Sequence, residues 1–298
     1  MRTTVWLLAL VAGSALAHPV AAQTTEHAAY VSVLDADNHP VGGLDVPDFV
    51  VTEDGRTREV LRAGRTSDPI DLAVIVDNSF AAQPHIADMR RALATFFETM
   101  ADRRATIALI GMADRPTVLM DYTSAAADMK KGVDTIFAQP GAGMVFQDTL
   151  SETLRGLVRR DSPRRAVLIL TGEGTDFSNI PYRNTLDTIR DSGAAVHVLQ
   201  LTDRSSVAAV VDDRIRERGL VIDEGTRMSG GRRQDVLSSM AYADALARVA
   251  EDLANQYKVV FGRPGVLVPP KAFAVSVKKP KLKARGTLVR EKPTGATK

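Results

Sequence analysis

An apolar run, Leu72-Ala-Val-Ile-Val76, passes directly into Asp77-Asn-Ser-Phe-Ala81, and this junction carries the residue types of greatest chemical interest in the chain. An open α/β sheet delivers side chains to a cleft at the carboxyl ends of its strands. A carboxylate at Asp77 and a hydroxyl at Ser79 are hard oxygen donors, the chemistry of a Mg²⁺ site. An Asp-x-Ser-x-Ser set would place a second hydroxyl where this chain has Ala81. A second apolar run, Ala166 to Leu170, ends at Thr171-Gly-Glu-Gly174, and a Gly/Pro loop, Pro140-Gly-Ala-Gly-Met144, lies between the two. Asp77, Glu173 and Asp176 are the carboxylates that these strand ends bring toward one cleft. They are the whole support for an exported hydrolase, and carboxylates alone define no reaction.

Other catalytic chemistry has no residues to carry it. There is no Gly-x-Ser-x-Gly elbow and no His-Glu-x-x-His pair. The chain has no cysteine, which excludes thiolate catalysis, disulfides and cysteine metal sites. The expectation is a protein that is not an enzyme. Gly141-Ala142-Gly143 lacks the lysine of a phosphate loop.

The elements that position these residues follow from periodicity. From Asp71 onward, apolar strands alternate with amphipathic helices, the pattern of a doubly wound, mostly parallel sheet flanked by helices. Ile86, Met89, Leu93, Phe96, Phe97 and Met100 make one helical face. Short strands at 106–111 and 117–120 surround a turn at Asp114-Arg-Pro116. Helices are expected near 125–137 and, capped by Asp148, up to Arg160. A helix includes 186–190, a strand runs 194–201, a helix covers 236–254, and Tyr257 to Phe261 is a last strand. The α/β domain therefore spans 70–262, with 203–231, polar and irregular, as an insertion or loop.

The flanks differ. Residues 28–64 alternate around turn-rich segments and read as a small β unit. The stretch 271–290 reads as a basic strand with its core at Phe273 to Val277, and 291–298 as a tail. From Lys271 onward nine Lys or Arg stand against one acid, Glu291. No aromatic residue follows Phe273, which argues against a nucleic-acid groove and for a solvated edge strand. The two ends of the chain are expected to pair in one β subdomain. Residues 1–22 combine Arg2, an apolar Val5 to Ala17 and small residues at Val20-Ala-Ala22, the pattern of a secretory signal peptide. Export to the periplasm or medium is the expectation, with no membrane span after cleavage.

By its motifs and their order, the stretch from Asp71 to Phe261 resembles the von Willebrand factor type A domain, and within it the exported bacterial VWFA-related domain proteins. Asn38-His-Pro-Val-Gly-Gly-Leu44, Asp48 to Gly55, Ser229-Gly-Gly-Arg-Arg233 and Asp252-Leu-Ala-Asn-Gln-Tyr257 carry the closer likeness. The resemblance implies a protein-interaction module. In metal-binding members, an Asp-x-Ser-x-Ser set, a threonine and an aspartate hold Mg²⁺, and a partner carboxylate completes its shell. Here Asp77 and Ser79 match that set. Ala81 stands at the second serine, Met144 at the threonine and Gly172 at the aspartate. Two side-chain oxygens are too few for a cation that wants about six, so no cofactor is expected. A shifted Glu173 would be needed for a Mg²⁺-dependent alternative. The expected docking face for a protein partner comprises Phe80, Ala81, Met144, Phe146, Gly172 and Glu173.

Overall fold

The computed structural model describes residues 24–202, 212–265 and 270–290. The signal-peptide segment, part of the expected insertion (203–211) and the tail at 291–298 lie outside the described residues. In chain order the elements are β1 (Thr24–Leu34), β2 (Phe49–Glu53), β3 (Arg56–Arg58), β4 (Val60–Arg65), β5 (Ile70–Val76), α1 (Ile86–Ala101), β6 (Ala105–Gly111), β7 (Thr117–Thr123), α2 (Ala126–Asp134), α3 (Phe146–Arg159), β8 (Arg165–Thr171), α4 (Tyr182–Ser192), β9 (Ala194–Leu201), α5 (Asp213–Met228), β10 (Arg233–Val236), α6 (Tyr242–Ala254), β11 (Tyr257–Pro264), β12 (Phe273–Val277) and β13 (Lys283–Leu288).

The central sheet has the order β10-β9-β8-β5-β6-β7, parallel except for β7. β5, β8 and most of β9 are buried throughout, because helices cover both faces. α1, α2 and α6 pack one face through Leu93, Phe97, Val133, Leu246 and Leu253. α3, α4 and α5 pack the other through Leu154, Ile189 and Ile222. The doubly wound sheet is as the alternating pattern implies.

Two antiparallel sheets form the β subdomain, ordered β13-β1-β11-β4 and β12-β2-β3. β12 pairs with β2 from Phe273↔Glu53 to Val277↔Phe49, so the ends of the chain do meet. The basic segment is two edge strands rather than one, since β13 pairs with β1. Glu53, fully buried, holds this unit together by accepting from Arg58 Nε (3.0 Å) and Arg263 Nε (2.9 Å).

Three expectations need correction. β11 belongs to the β subdomain and not to the α/β sheet: β1 offers it an antiparallel register of eight pairs, Thr24↔Pro264 to Val31↔Tyr257. The four-residue edge β10 offers far less backbone. Residues 213–228 are not irregular but form α5, N-capped by Asp212, whose carboxylate accepts from Arg214 N. Val236, read as the start of a helix, instead ends β10 on the edge of the sheet, and α6 begins only at Tyr242.

Gly230-Gly231 lets this crossover close. A Cβ on Gly231 would sit 1.9 Å from Val196 O, and one on Gly230 would sit 2.3 Å from Gly286 O. Only hydrogen at both Cα positions allows the chain to pass between β9 and β13.

Candidate functional site

β5 delivers Asp77 to the edge of the sheet, and the chain turns away through Asn78 and Ser79, all three buried. Asp77 Oδ1 accepts from Ser79 N at 3.0 Å, an Asx turn, and Oδ2 from Gly172 N at 3.4 Å. Asn78 Oδ1 accepts from Ala113 N at 3.0 Å. Asp77 therefore ties its own loop to the one that follows β8.

The loop at 141–144 completes the edge. Phe80 N donates to Ala142 O at 3.1 Å, and Phe177 N donates to Met144 O at 2.8 Å. Met144 is bridged by Ala113 on one side and Asp176 on the other, which buries its side chain. Thr171 Oγ1 donates to its Sδ at 3.3 Å. The three strand-end loops thus converge as the sequence implies.

Two expected docking residues do not face solvent. Met144 is 4 % exposed and Phe146 is 1 % exposed, so both are core. Phe146 opens α3 beneath Asp176, whose carboxylate accepts from Phe146 N (2.9 Å), Gln147 N (3.2 Å), Ser178 N (3.0 Å) and Ser178 Oγ (2.6 Å). Asp176 caps this helix, in place of the expected Asp148. Asp148 sits in the first turn and accepts from Asn179 N (3.1 Å) and Ile180 N (3.0 Å).

Phe80, Ala81 and Glu173 are exposed, and Gly172 is half-buried. Phe177, for which the sequence pattern gives no functional signal, is 51 % exposed, and Phe80 is 56 % exposed. The Phe177 ring packs on Gly143, where an added Cβ would lie 2.5 Å from it, and the Phe80 main-chain N–H donates to Ala142 O, so both exposed phenylalanines are tied to the 142–143 loop. Leu237 and Met240, just past β10, are exposed as well.

The decisive group falls in the stretch whose composition reads as a loop. Arg218, on α5, is 2 % exposed and reaches under the cleft. Its Nη2 donates to Thr171 Oγ1 (2.9 Å) and Gly172 O, and its Nη1 to Gly174 O (3.4 Å). The guanidinium lies 5.4 Å from the Phe146 ring centre. Burial pushes its pKa down, while the charges of Asp77, Asp176 and Glu173 push it back up. An arginine stays protonated under such opposition. A permanent positive charge therefore lies inside the strand-end loops.

These residues do not fit Mg²⁺. Ala81 and Gly172 supply no side-chain oxygen, and Met144 supplies a soft thioether where a hydroxyl would be needed. The Thr171 hydroxyl is engaged by Arg218 and Met144. A divalent ion beside Asp77 would also meet the Arg218 charge at short range, in a region screened little by solvent. Among the described residues no group of three His, Asp or Glu side chains is arranged to hold a metal.

Outside Arg218 the cleft opens into a cavity of about 240 Å³, lined by Asp77, Ala81, His85, Met89, Glu173 and Tyr242 among others. Burial and the Asp77 charge raise the Tyr242 pKa and keep its phenol protonated. A cavity of about 290 Å³ lies at the other end of β9, lined by Arg190, Gly193, Arg227 and Arg290, away from the converging loops.

No family model and no curated protein matches the sequence. Solved structures match the fold. A von Willebrand factor type A protein from Catenulispora acidiphila aligns with a TM-score of 0.50 at 12 % identity, over 85 % of this chain and 74 % of that one. The vWF domain of the type V pili tip protein Mfa5 from Porphyromonas gingivalis aligns at 0.48 and 11 % identity, over 63 % and 96 %. BatB from Bacteroides thetaiotaomicron aligns at 0.46 and 13 % identity, over 62 % and 98 %. At such identities the likeness concerns the fold alone. A parallel sheet with an antiparallel β7 edge, helices on both faces and an Asp77 loop at the strand ends together give this chain the von Willebrand factor type A fold.

Proposed function

We propose that this chain is an exported protein-interaction module whose strand-end face docks a partner without a metal, and that it is not an enzyme. The fold supports an interaction role in general. The observation that carries the metal-independent reading is the buried Arg218 guanidinium beneath Asp77, Gly172 and Glu173. It supplies the positive charge that organises these loops, so no ion is required to hold them. The docking surface is then Phe80, Phe177, Ala81 and Glu173, with Gly172 at its centre, and Met144 and Phe146 serve as its support. Exposed aromatic rings flanking a polar cleft suit protein recognition.

Support for export comes from the signal-peptide pattern of residues 1–22. Among the described residues no helix is long and apolar enough to cross a membrane.

The Mg²⁺-dependent alternative through Asp77, Ser79 and Glu173 would need the ion to share the cleft with Arg218. The hydrolase reading loses its third carboxylate, because four donors already occupy Asp176.

The test uses partners recovered with the mature protein and verified with purified components. Phe80→Asp and Phe177→Asp should abolish binding with unchanged thermal melting, and chelator should leave wild-type binding intact. Binding that survives both substitutions, or that disappears with chelator, refutes the proposal. Met144→Asp is not a useful probe, since it would bury a charge in the core.

A further inference from the structure

We infer that the cavity of about 290 Å³ between α4, α5 and the β12–β13 end of the β subdomain binds a small organic carboxylate, its anionic head on Arg290 and Lys271 and its hydrocarbon body on Phe273 and Met228. The site lies away from the strand-end loops and stands independently of the docking reading. Clefts between two structural units are common places for small ligands.

The walls are fixed by bonds that need no ligand. Lys271 N and Ala272 N both donate to Asp54 Oδ1, at 3.0 and 2.9 Å, which seats the start of β12 on the β2–β3 turn. Arg165 Nη1 donates to Arg290 O at 3.4 Å from the β8 side. Gly193, the left-handed residue that ends α4 with φ 63°, faces Arg290: an added Cβ would lie 2.8 Å from Arg290 Cγ. The stem of Arg290 therefore crosses the end of α4, and the residue lines the cavity.

Charge selects the head group. Four cations line the cavity, Arg190, Arg227, Lys271 and Arg290, with one acid, Glu224. Two of them are already engaged: Arg190 pairs with Asp187 at 2.5 Å, and Arg227 reaches Glu224 at 4.0 Å. Both also stand in the last turns of α4 and α5, where they complement the carbonyl ends of those helices. Arg290 Nε is buried and has no hydrogen-bond partner among the described residues, an uncommon state for a charged donor. The carboxylates that act on Arg290 are Asp191 and Glu53, opposed by Arg263 and Arg190. Glu53 is already held by Arg58 and Arg263, and Asp191 is exposed to solvent. Arg290 and Lys271 against Asp191 leave one positive charge, which a carboxylate neutralises through charge-assisted hydrogen bonds.

The rest of the lining selects the body. Ile189, Met228 and Leu288 line the cavity together with Phe273, whose ring stacks on Phe261 at 6.0 Å. The lining hydroxyls are already used: Ser229 Oγ accepts from Val196 N at 3.0 Å and donates to Thr226 O, and Thr287 Oγ1 donates to Ser229 O at 2.7 Å. What remains is a cationic head site beside an apolar floor, the division of a carboxylate on a short hydrocarbon chain. Bare phosphate would use the head site alone, and a neutral or cationic chain would leave Arg290 Nε unpaired.

Matched probes of one chain length test the site. The mature protein, isotopically labelled, is titrated at fixed ionic strength with hexanoate, and in parallel with n-hexylammonium, 1-hexanol and inorganic phosphate. Hexanoate should shift the Gly193, Ser229 and Ala272 amide resonances saturably, with a Kd on the order of 1 mM. Hexylammonium and hexanol should not, and phosphate, lacking the apolar contacts, should bind about tenfold more weakly. Arg290→Gln should weaken hexanoate about tenfold, and Lys271→Gln about threefold. Lys271→Gln changes an exposed side chain and leaves the backbone bond to Asp54 in place, so it tests the site even where Arg290→Gln lowers stability. Absence of saturable hexanoate shifts, equal shifts from hexanol or hexylammonium, phosphate as tight as hexanoate, or unchanged affinity in the two variants overturns the inference.

Discussion

Replacing Arg218 by methionine removes the buried charge while keeping an unbranched stem of similar length. Thr171 Oγ1 and Gly174 O lose the donor that Arg218 supplies, and Gly172 O is left with Thr171 Oγ1 alone. The charges of Asp77, Asp176 and Glu173 lose the cation that faces them. Deleting one partner of a buried charge cluster costs about 3–5 kcal/mol, here because Asp77 and Asp176 stay buried without the cation that faces them. The methionine side chain limits the cavity contribution, so this range describes mainly electrostatics. For a chain of this size the loss corresponds to a fall in melting temperature of roughly 6–15 °C. Far-UV circular dichroism at pH 7 and low salt measures it directly. Arg218→Lys is the matched control: it retains a charge but not the planar fork, so it should melt between the two. Melting of Arg218→Met within about 1–2 °C of wild type would refute the reasoning, because the guanidinium would then not be holding the loops.

Three further outcomes follow from other parts of the molecule. His197, on β9 and 1 % exposed, has no hydrogen-bond partner at either ring nitrogen among the described residues, and burial pushes its pKa down to about 4 from an ordinary 6.5. Between these values the unfolded chain binds a proton that the folded chain does not, so stability falls on acidification through that window, by about 3 kcal/mol in total. Urea denaturation at stepped pH should show this slope, and His197→Leu should flatten it; an unchanged slope in the variant contradicts the assignment. Gly231→Ala should cost at least about 3 kcal/mol, since its Cβ would enter the Val196 carbonyl, and a urea midpoint equal to wild type would show that the close approach is not real. Glu53→Ala should cost about 3–5 kcal/mol by stranding the buried Arg263 on β11, with soluble expression and urea midpoint as readouts; neutrality would mean that the pair does not hold the β subdomain.

Much of the fold is legible in the sequence, for identifiable reasons. β5 and β8 are seven-residue, largely apolar runs that lead into polar groups, so their burial and their strand-end side chains both follow from residue type and order. The α1 face is equally clear, from Ile86 to Met100. Alternation does not say which sheet a buried strand joins, and on alternation alone β11 falls in the wrong one. Exposure within a loop is also illegible. Met144 and Phe146 read as docking residues, with core packing an equal reading for Phe146; the bridges to Ala113 and Asp176 account for the burial of Met144, and the place of Phe146 at the start of α3 accounts for its own.

Arg218 is hard to find because α5 begins Asp213-Arg-Ile-Arg-Glu-Arg, a composition that reads as solvated polar chain. A signal is nevertheless present. Arg218 stands three and four residues before the buried Val221 and Ile222, and seven before Gly225, on the inward helical face. An arginine on such a face requires acceptors, and the strand-end carbonyls and carboxylates are what it finds.

Under the proposed function, the guanidinium of Arg218 takes the place of a metal at this cleft. Calorimetric titration of the mature wild-type protein with Mn²⁺ and Mg²⁺, followed by diffraction from crystals grown in Mn²⁺, tests it most directly. The expected result is no saturable heat and no anomalous peak beside Asp77 and Ser79, with Arg218 in its hydrogen bonds to Thr171 and Gly172. Stoichiometric binding with a peak within coordination distance of Asp77 and Ser79 would contradict the account.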